Sequence, residues 1–303
     1  MNGIVWGLKP AHYRRIDRPQ KTIGDSLVDG LDLCSASAGF GWEHGIKNPD
    51  EACERLSRKS FVISRLVLAA KWLLLLDVIH IVLPTIGSDK LLSLEGDSIF
   101  DPTLAAPLRH LKSSTLSILI SVILIGGLQA ASYLAAAFFV GVLNIHPKRC
   151  PPAFNSPWAS TSLASFWSRW QQMARHPLVN CGGKPLAYIL GGSRTGLVLG
   201  TFLMSGIVHD ISVLPLGKGA EPLSITMFFF MMGLGVVLEA KWKEWSGRMV
   251  AGWTGWVWTM CWIILWANRM VDAVARRGTL GTSYLGGATS PMRIMVDRVT
   301  RRR

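Results

Sequence analysis

"SSTLSILISVILIGGLQAASYLAAAFFVGVLNIHP", Ser113 to Pro147, runs for 35 residues without a lysine, arginine, aspartate or glutamate. A bilayer core is crossed by about 20 mostly apolar residues in helix. A helix that is apolar on every face has no place on the surface of a soluble domain. A second stretch, Met249 to Asn268, is free of charge for 20 residues, and half of the 303 residues are hydrophobic. The chain reads as an all-α polytopic membrane protein. Outward from the opening stretch, the pattern predicts five spans: Val62 to Leu83, a segment within Ser117 to Asn144, about Thr195 to Leu214, Leu223 to Leu238, and Val250 to Trp266. Arg65, Lys71, Asp77 and His80 interrupt the first, so its ends snorkel or one face looks into a polar cavity. The fourth is short and suits a thinned or tilted region.

The net charge is +13, but the cations are spread over loops and tail, where anionic headgroups attract them. That distribution is not a nucleic-acid signature, and no nucleic-acid partner is expected. Basic residues crowd 1–60, 148–194 and 241–248, which five spans place on one, cytoplasmic, side. The tail, with Arg269, Arg276, Arg277 and five further arginines, then falls on the other. Three parts are expected: a polar surface segment at 1–60, a membrane domain at 61–268 and a basic tail at 269–303. Residues 1–25 lack the apolar core of a secretory signal. The five cysteines form no C-x-x-C pair and meet no histidine at metal spacing, so neither disulfides nor a metal are expected.

The most informative connection is 148–194. Pro151, Pro152 and Pro157 forbid regular helix at its start. Ser160, Thr161 and Ser162 then offer a helix N-cap ahead of "SFWSRWQQMARHP", Ser165 to Pro177. This segment predicts a short amphipathic helix at the interface, reaching about His176, before Pro177. Phe166, Arg169, Trp170 and Met173 share one face, and Trp167 and Gln171 another. One reading makes it an interfacial anchor. The other makes it a lid over a reaction chamber, with Arg169 and Arg175 gripping phosphates beside Lys148, Arg149, Lys184 and Arg194. Gln171 would offer its amide N–H to an oxyanion.

"FLMSGIVHD", Phe202 to Asp210, ends an apolar run on His209. A packed histidine bonding a neighbouring helix is one account of it. A general base that takes a proton from an alcohol is the other, and partial burial would keep the ring neutral. Asp210 is adjacent in sequence and so turned away on a helix; it reads as a local charge. Trp258, Trp262 and Trp266, spaced by four, read as core packing or as a wall for a flat substrate. Glu239 reads as an interfacial boundary.

Together these phrases resemble the wax-synthase branch of the membrane-bound O-acyltransferases, which includes fungal terpenoid acetyltransferases. "GFGWEHGIKNP" (Gly39 to Pro49) resembles that branch's "RGIGWNWxVKNxP". "SLASFWSRWQQMARH" (Ser162 to His176) resembles "SLRxFWxxRWHQxxRH", and "FLMSGIVHD" resembles "FLxSGxxHE", whose catalytic histidine falls on His209. "MFFFMMGLGVVLE" (Met227 to Glu239) and "GWTGWVWTMCWIILW" (Gly252 to Trp266) resemble the terminal helices. The chain departs from the pattern in three places. A Trp170-Gln171 pair stands for tryptophan-histidine, the stretch between Phe166 and Trp170 is one residue short, and the usual upstream helices are missing before the "GFGW" phrase.

The resemblance implies acyl transfer in a multi-pass protein of the endoplasmic reticulum. Acyl-CoA, acetyl-CoA in the favoured reading, is the co-substrate, and a lipophilic, terpenoid-like alcohol of secondary metabolism the acceptor. Membrane lipid surrounds both. His209 and Gln171 carry the chemistry; Trp167, Arg169, Trp170 and Arg175 hold the donor. A long-chain wax-ester synthase and a non-catalytic protein of the same fold are the alternatives.

Overall fold

The computed structural model describes residues 57–88, 90–147, 150, 154, 156–170, 177–216 and 221–282. Every regular element among them is helical. Among the described residues the α-helices are α1 (Arg58–Ile86), α2 (Ala106–Gly141), α3 (Leu163–Arg169), α4 (Lys184–Ile189), α5 (Arg194–Val213), α6 (Ser224–Ser246) and α7 (Gly252–Arg276). Four of them, α1, α2, α5 and α6, are long and apolar enough to cross a membrane. The protein is an all-α polytopic membrane protein.

The hydrophobic runs place these four well and their ends less well. The second span begins at Ala106, eleven residues before Ser117, because Pro107 sits in the first turn, where its missing N–H costs nothing. The fourth is not short. It continues past Leu238 through Lys241 and Lys243 to Ser246, where Gly247 adopts a left-handed conformation (φ 67°) and donates its N–H to Lys243 O. The expected fifth span is α7, which extends beyond Trp266 to Arg276. It falls outside the four most apolar helices. Trp253, Val257, Cys261 and Leu265 make one exposed stripe on it, while Asn268 and Asp272 are buried. "GFGWEHGIKNP" lies outside the described residues.

α1 and α2 form an antiparallel hairpin. Trp72 and Leu76 close over Gly126, where a Cβ would lie 2.8 Å from Trp72 Cε3. At the open end Arg58 donates to Val140 O (2.7 Å) and Gly141 O (3.0 Å) and also reaches Asn144 Oδ1. It thereby satisfies carbonyls that end α2 without partners, where a cation is favoured by the helix dipole. At the other end Leu83, Leu91, Ile99, Leu116 and Ile120 bury Val271 and Ala275 of α7. Asp272 of α7 accepts from Ser98 Oγ (2.7 Å) and Ile99 N (2.9 Å), locking the 88–105 connection onto α7.

α5 and α6 run antiparallel, with Phe202 against Gly233 and Gly206 against Thr226. A Cβ on Gly206 would come within 2.5 Å of Thr226 Cα, so only glycine permits this approach. α7 runs antiparallel to α6: Trp262 Nε1 donates to Met231 O (3.0 Å) and Trp258 Nε1 to Glu239 Oε1 (3.0 Å).

Candidate functional site

α3 is the element on which the site turns. Ser162 caps it, its hydroxyl accepting from Ser165 N (3.1 Å), as the run of hydroxyl residues predicts. A second cap comes from far along the chain. The Glu239 carboxylate accepts from Leu163 N (2.7 Å) and Ala164 N (3.1 Å) while also holding Trp258. Glu239 is only 8 % exposed. Its two oxygens meet two backbone N–H groups at a helix N-terminus and one indole N–H. Sequence reading took it for a boundary residue, because nothing local shows that its partner is a backbone 76 residues earlier.

From that cap α3 runs along α6 toward the start of that helix. Leu163 is wholly buried beside Gly235, and Phe166 is buried too, while Ala164 and Ser168 face outward. The helix is amphipathic, as expected, but ends earlier. Trp170 has extended backbone angles (φ −87°, ψ 139°), so α3 stops at Arg169 rather than near His176. Gln171, Met173, Arg175 and His176 lie outside the described residues, as do Lys148 and Arg149.

His209 sits one turn from the end of α5. Its Nδ1 is 2.7 Å from Ser205 O. A carbonyl oxygen only accepts, so Nδ1 is the donor of this bond and Nε2 is the ring nitrogen left for another partner. The ring lies tilted against Phe229, centroids 4.5 Å apart. Phe229 is 5.6 Å from Trp167, Trp167 is 5.6 Å from Trp170, and Trp170 stacks on Phe166 at 5.3 Å. A continuous row of rings therefore joins His209 to the residue that precedes Gln171. The described residues do not enclose the imidazole, which is exposed at the protein surface. The burial expected for it is absent among them.

Asp210 turns the other way. Its Oδ2 accepts from Thr226 N at 3.0 Å and from the Thr226 hydroxyl, capping α6 from the neighbouring helix. Leu223, which opens α6 in a left-handed conformation (φ 60°), has no side-chain oxygen to do this itself. Asp210 is a structural partner of α6, in keeping with its exclusion from any triad.

The cations imagined around the lid separate. Arg169 ends α3, on the way to His209. Lys184 and Arg194 open α4 and α5 and are exposed. Fifteen residues of helix put Arg194 about 22 Å from His209 along the axis, at 1.5 Å per residue. Trp258 and Trp262 pack with α6 around Phe228, Phe229 and Met232. A cavity of about 600 Å³ lies at the far end of α6 and α7, lined in part by Phe228, Trp266 and Asn268. His209 is not among its walls.

Residues 150–232 match the profile of the membrane bound O-acyl transferase family. The matched stretch holds α3, α5, His209 and the first part of α6. The chain is 31 % identical over 129 residues to a probable long-chain-alcohol O-fatty-acyltransferase 2 of Arabidopsis thaliana, covering 38 % of this chain and 37 % of that protein. It is 28 % identical over 121 residues to acyl-CoA--sterol O-acyltransferase 1 of the same plant, covering 38 % of this chain and 35 % of that protein. It is 26 % identical over 159 residues to acetyltransferase spyB of Aspergillus fumigatus, covering 43 % of this chain and 27 % of that protein. The aligned part spans about a third of the length of these relatives. Over that part the chain is similar to wax-synthase-like membrane-bound O-acyltransferases.

Proposed function

We propose that this chain transfers an acyl group from acyl-CoA to the hydroxyl of a lipophilic alcohol, with acetyl as the group and a terpenoid-like alcohol of secondary metabolism as the acceptor. The observation that carries the reading is the Nδ1 hydrogen bond of His209, which leaves Nε2 to meet a substrate hydroxyl near the end of an apolar helix. The similarity to alcohol and sterol acyltransferases and to a fungal acetyltransferase supports the reaction class.

Nε2 of His209 takes the proton of the acceptor hydroxyl as its oxygen attacks the thioester carbonyl. A C–O bond forms, and the tetrahedral oxyanion is steadied by an N–H donor, assigned to the Gln171 amide that follows Trp170. The C–S bond then breaks, and the thiolate leaves with the proton returned from the imidazolium. The products are the ester and free coenzyme A. No metal has a part in these steps. Trp167 and Trp170 wall the donor arm, and Arg169, with Arg175, meets its phosphates. Excluding water from the thioester suits a site among aromatic rings and lipid. The four long apolar helices would seat the chain in a membrane, here that of the endoplasmic reticulum.

Membranes containing the chain, given labelled acetyl-CoA or palmitoyl-CoA and a panel of alcohols, test this directly. Acetyl ester should form, and His209→Ala should lower it by about 10² to 10⁴-fold, the worth of a positioned general base, with insertion unchanged. Undiminished turnover by His209→Ala overturns the proposal. Preference for palmitoyl-CoA replaces acetyl transfer by wax-ester synthesis. Gln171→His should keep or raise turnover, whereas loss of folding would make Gln171 a packing residue.

A further inference from the structure

A general base becomes a cation when it takes a proton, and in a Ser-His-Asp arrangement a buried aspartate steadies that charge. Among the described residues His209 has no such partner. Its Nδ1 donates to the Ser205 carbonyl at 2.7 Å. The adjacent carboxylate, Asp210, is turned to Thr226. No salt bridge among the described residues includes His209. Beside lipid, a charge formed on the ring needs some other support.

Phe229 lies where that support is needed. Its ring centroid is 4.5 Å from that of the imidazole, and the planes meet at 33°, nearer to parallel than to edge-on. The imidazole therefore meets the face of the benzene ring, where the quadrupole is negative, within the ~6 Å over which a cation is attracted. The ring is held in place. Phe229 is only 8 % exposed, with Phe228 packed on it at 5.2 Å and 82° and Trp167 at 5.6 Å. One turn away, Gly206 meets Thr226 and Asp210 accepts from Thr226 N, which fixes α5 on α6 beside the pair. A neutral imidazole gains little from the negative face and an imidazolium gains more, so the contact strengthens as the proton arrives.

We infer that Phe229 is a positioning residue for acyl transfer: its face holds the His209 ring and steadies the imidazolium formed when Nε2 takes the proton of the acceptor hydroxyl. The inference rests on the role proposed above for His209. The charge lasts only until the proton passes to the departing thiolate. Phe229 therefore acts on the rate of the step and not on the binding of either substrate. Within "MFFFMM", Met227 to Met232, nothing in residue order sets this phenylalanine apart from its neighbours. The register of α5 on α6 does, by bringing His209 onto it.

The test uses the full chain in lipid nanodiscs, with mono-, di- or trifluorophenylalanine placed at position 229 and with acetyl-CoA and the alcohol that the wild type esterifies fastest. Fluorine drains the negative face and leaves the shape of the ring nearly as it was. With each fluorine kcat should fall, by about three- to thirtyfold at the third, the range of a cation over an aromatic face. KM for both substrates and the melting temperature should hold. The residual rate of His209→Ala should be indifferent to fluorination, since the ring then has no charge to steady. Phe229→Leu should lower kcat at least as far, and the fluorinated series serves where that variant does not fold. A kcat that does not respond to fluorination, or a fall that persists in the His209→Ala background, overturns the role of Phe229 and leaves that of His209 standing. Ester formation absent from the wild type, or undiminished in His209→Ala, overturns transfer by His209 and this role with it.

Discussion

The α1–α2 hairpin and the α3, α5, α6, α7 cluster are built from similar fractions of apolar residue but are held by different forces. The hairpin is joined by side-chain packing along its length and closed at one end by Arg58. The cluster is joined by polar pins at its two ends, Asp210 on Thr226 and Glu239 on α3, with glycine contacts between them. In lipid an apolar surface gains little by meeting another apolar surface, so close packing and hydrogen bonds carry association. The hairpin also buries Arg65, over the Phe61 and Tyr133 rings, and Asp77. The cluster must hold a histidine, a short helix and a tryptophan row in one register, and Asp210 and the buried Glu239 fix that register.

Changes in the cluster should therefore cost both stability and transfer, and changes in the hairpin stability alone. Gly206→Val should have the largest effect. Any Cβ there meets Thr226 backbone at 2.5 Å, so α5 and α6 must part, at about 3 kcal/mol or more and with His209 moved off Phe229. Thermal unfolding in detergent and ester formation should both fall; an unchanged melting temperature would disprove that crossing. Glu239→Ala should come next, at about 2 kcal/mol, since two helix N–H groups and an indole N–H lose their acceptor. Its mark is increased hydrogen exchange in α3, with Glu239→Gln milder. Arg58→Met should cost about 1 kcal/mol, fray the end of α2 and leave turnover per folded molecule unchanged. Reduced turnover from that change would erase the distinction between the two regions.

The smallest effect is expected in the 88–105 connection and depends on pH. The Lys112 ammonium, 2.8 Å from Asp101, and then the Thr103 hydroxyl, hold the Asp101 carboxyl down to about 2 from an ordinary 3.8. A depressed carboxylate stabilises the fold fully above its unfolded value and loses that contribution as pH falls through the folded one. Between about pH 4 and pH 2 the start of α2 should loosen, as hydrogen exchange corrected for intrinsic rate would register. Asp101→Asn should abolish that pH dependence, and a pH response surviving in the variant would place its origin elsewhere.

Some of the local geometry around the candidate site was legible in residue order: the Ser162 cap and the turning of Asp210 away from His209 follow from local periodicity. The length of α3 did not, because Trp170 leaves the helix to join Phe154, Phe166 and Trp167, a packing decision made by distant rings. The scattering of the cations did not either. Lys184 and Arg194 are near Arg169 in sequence, but α5 carries its own start away from His209.

By itself the sequence determined that the chain crosses a membrane as helices and roughly where, since the bilayer reads only length and polarity. It also singled out the imidazole, since an ionisable group in an apolar run is conspicuous. Only the tertiary structure decided which charges serve as struts: Glu239 and Asp210 became helix caps, and Asp272 tied α7 to the chain ahead of α2. Such roles depend on a partner tens of residues away, and a hydrogen bond reports its partner only once both are in place.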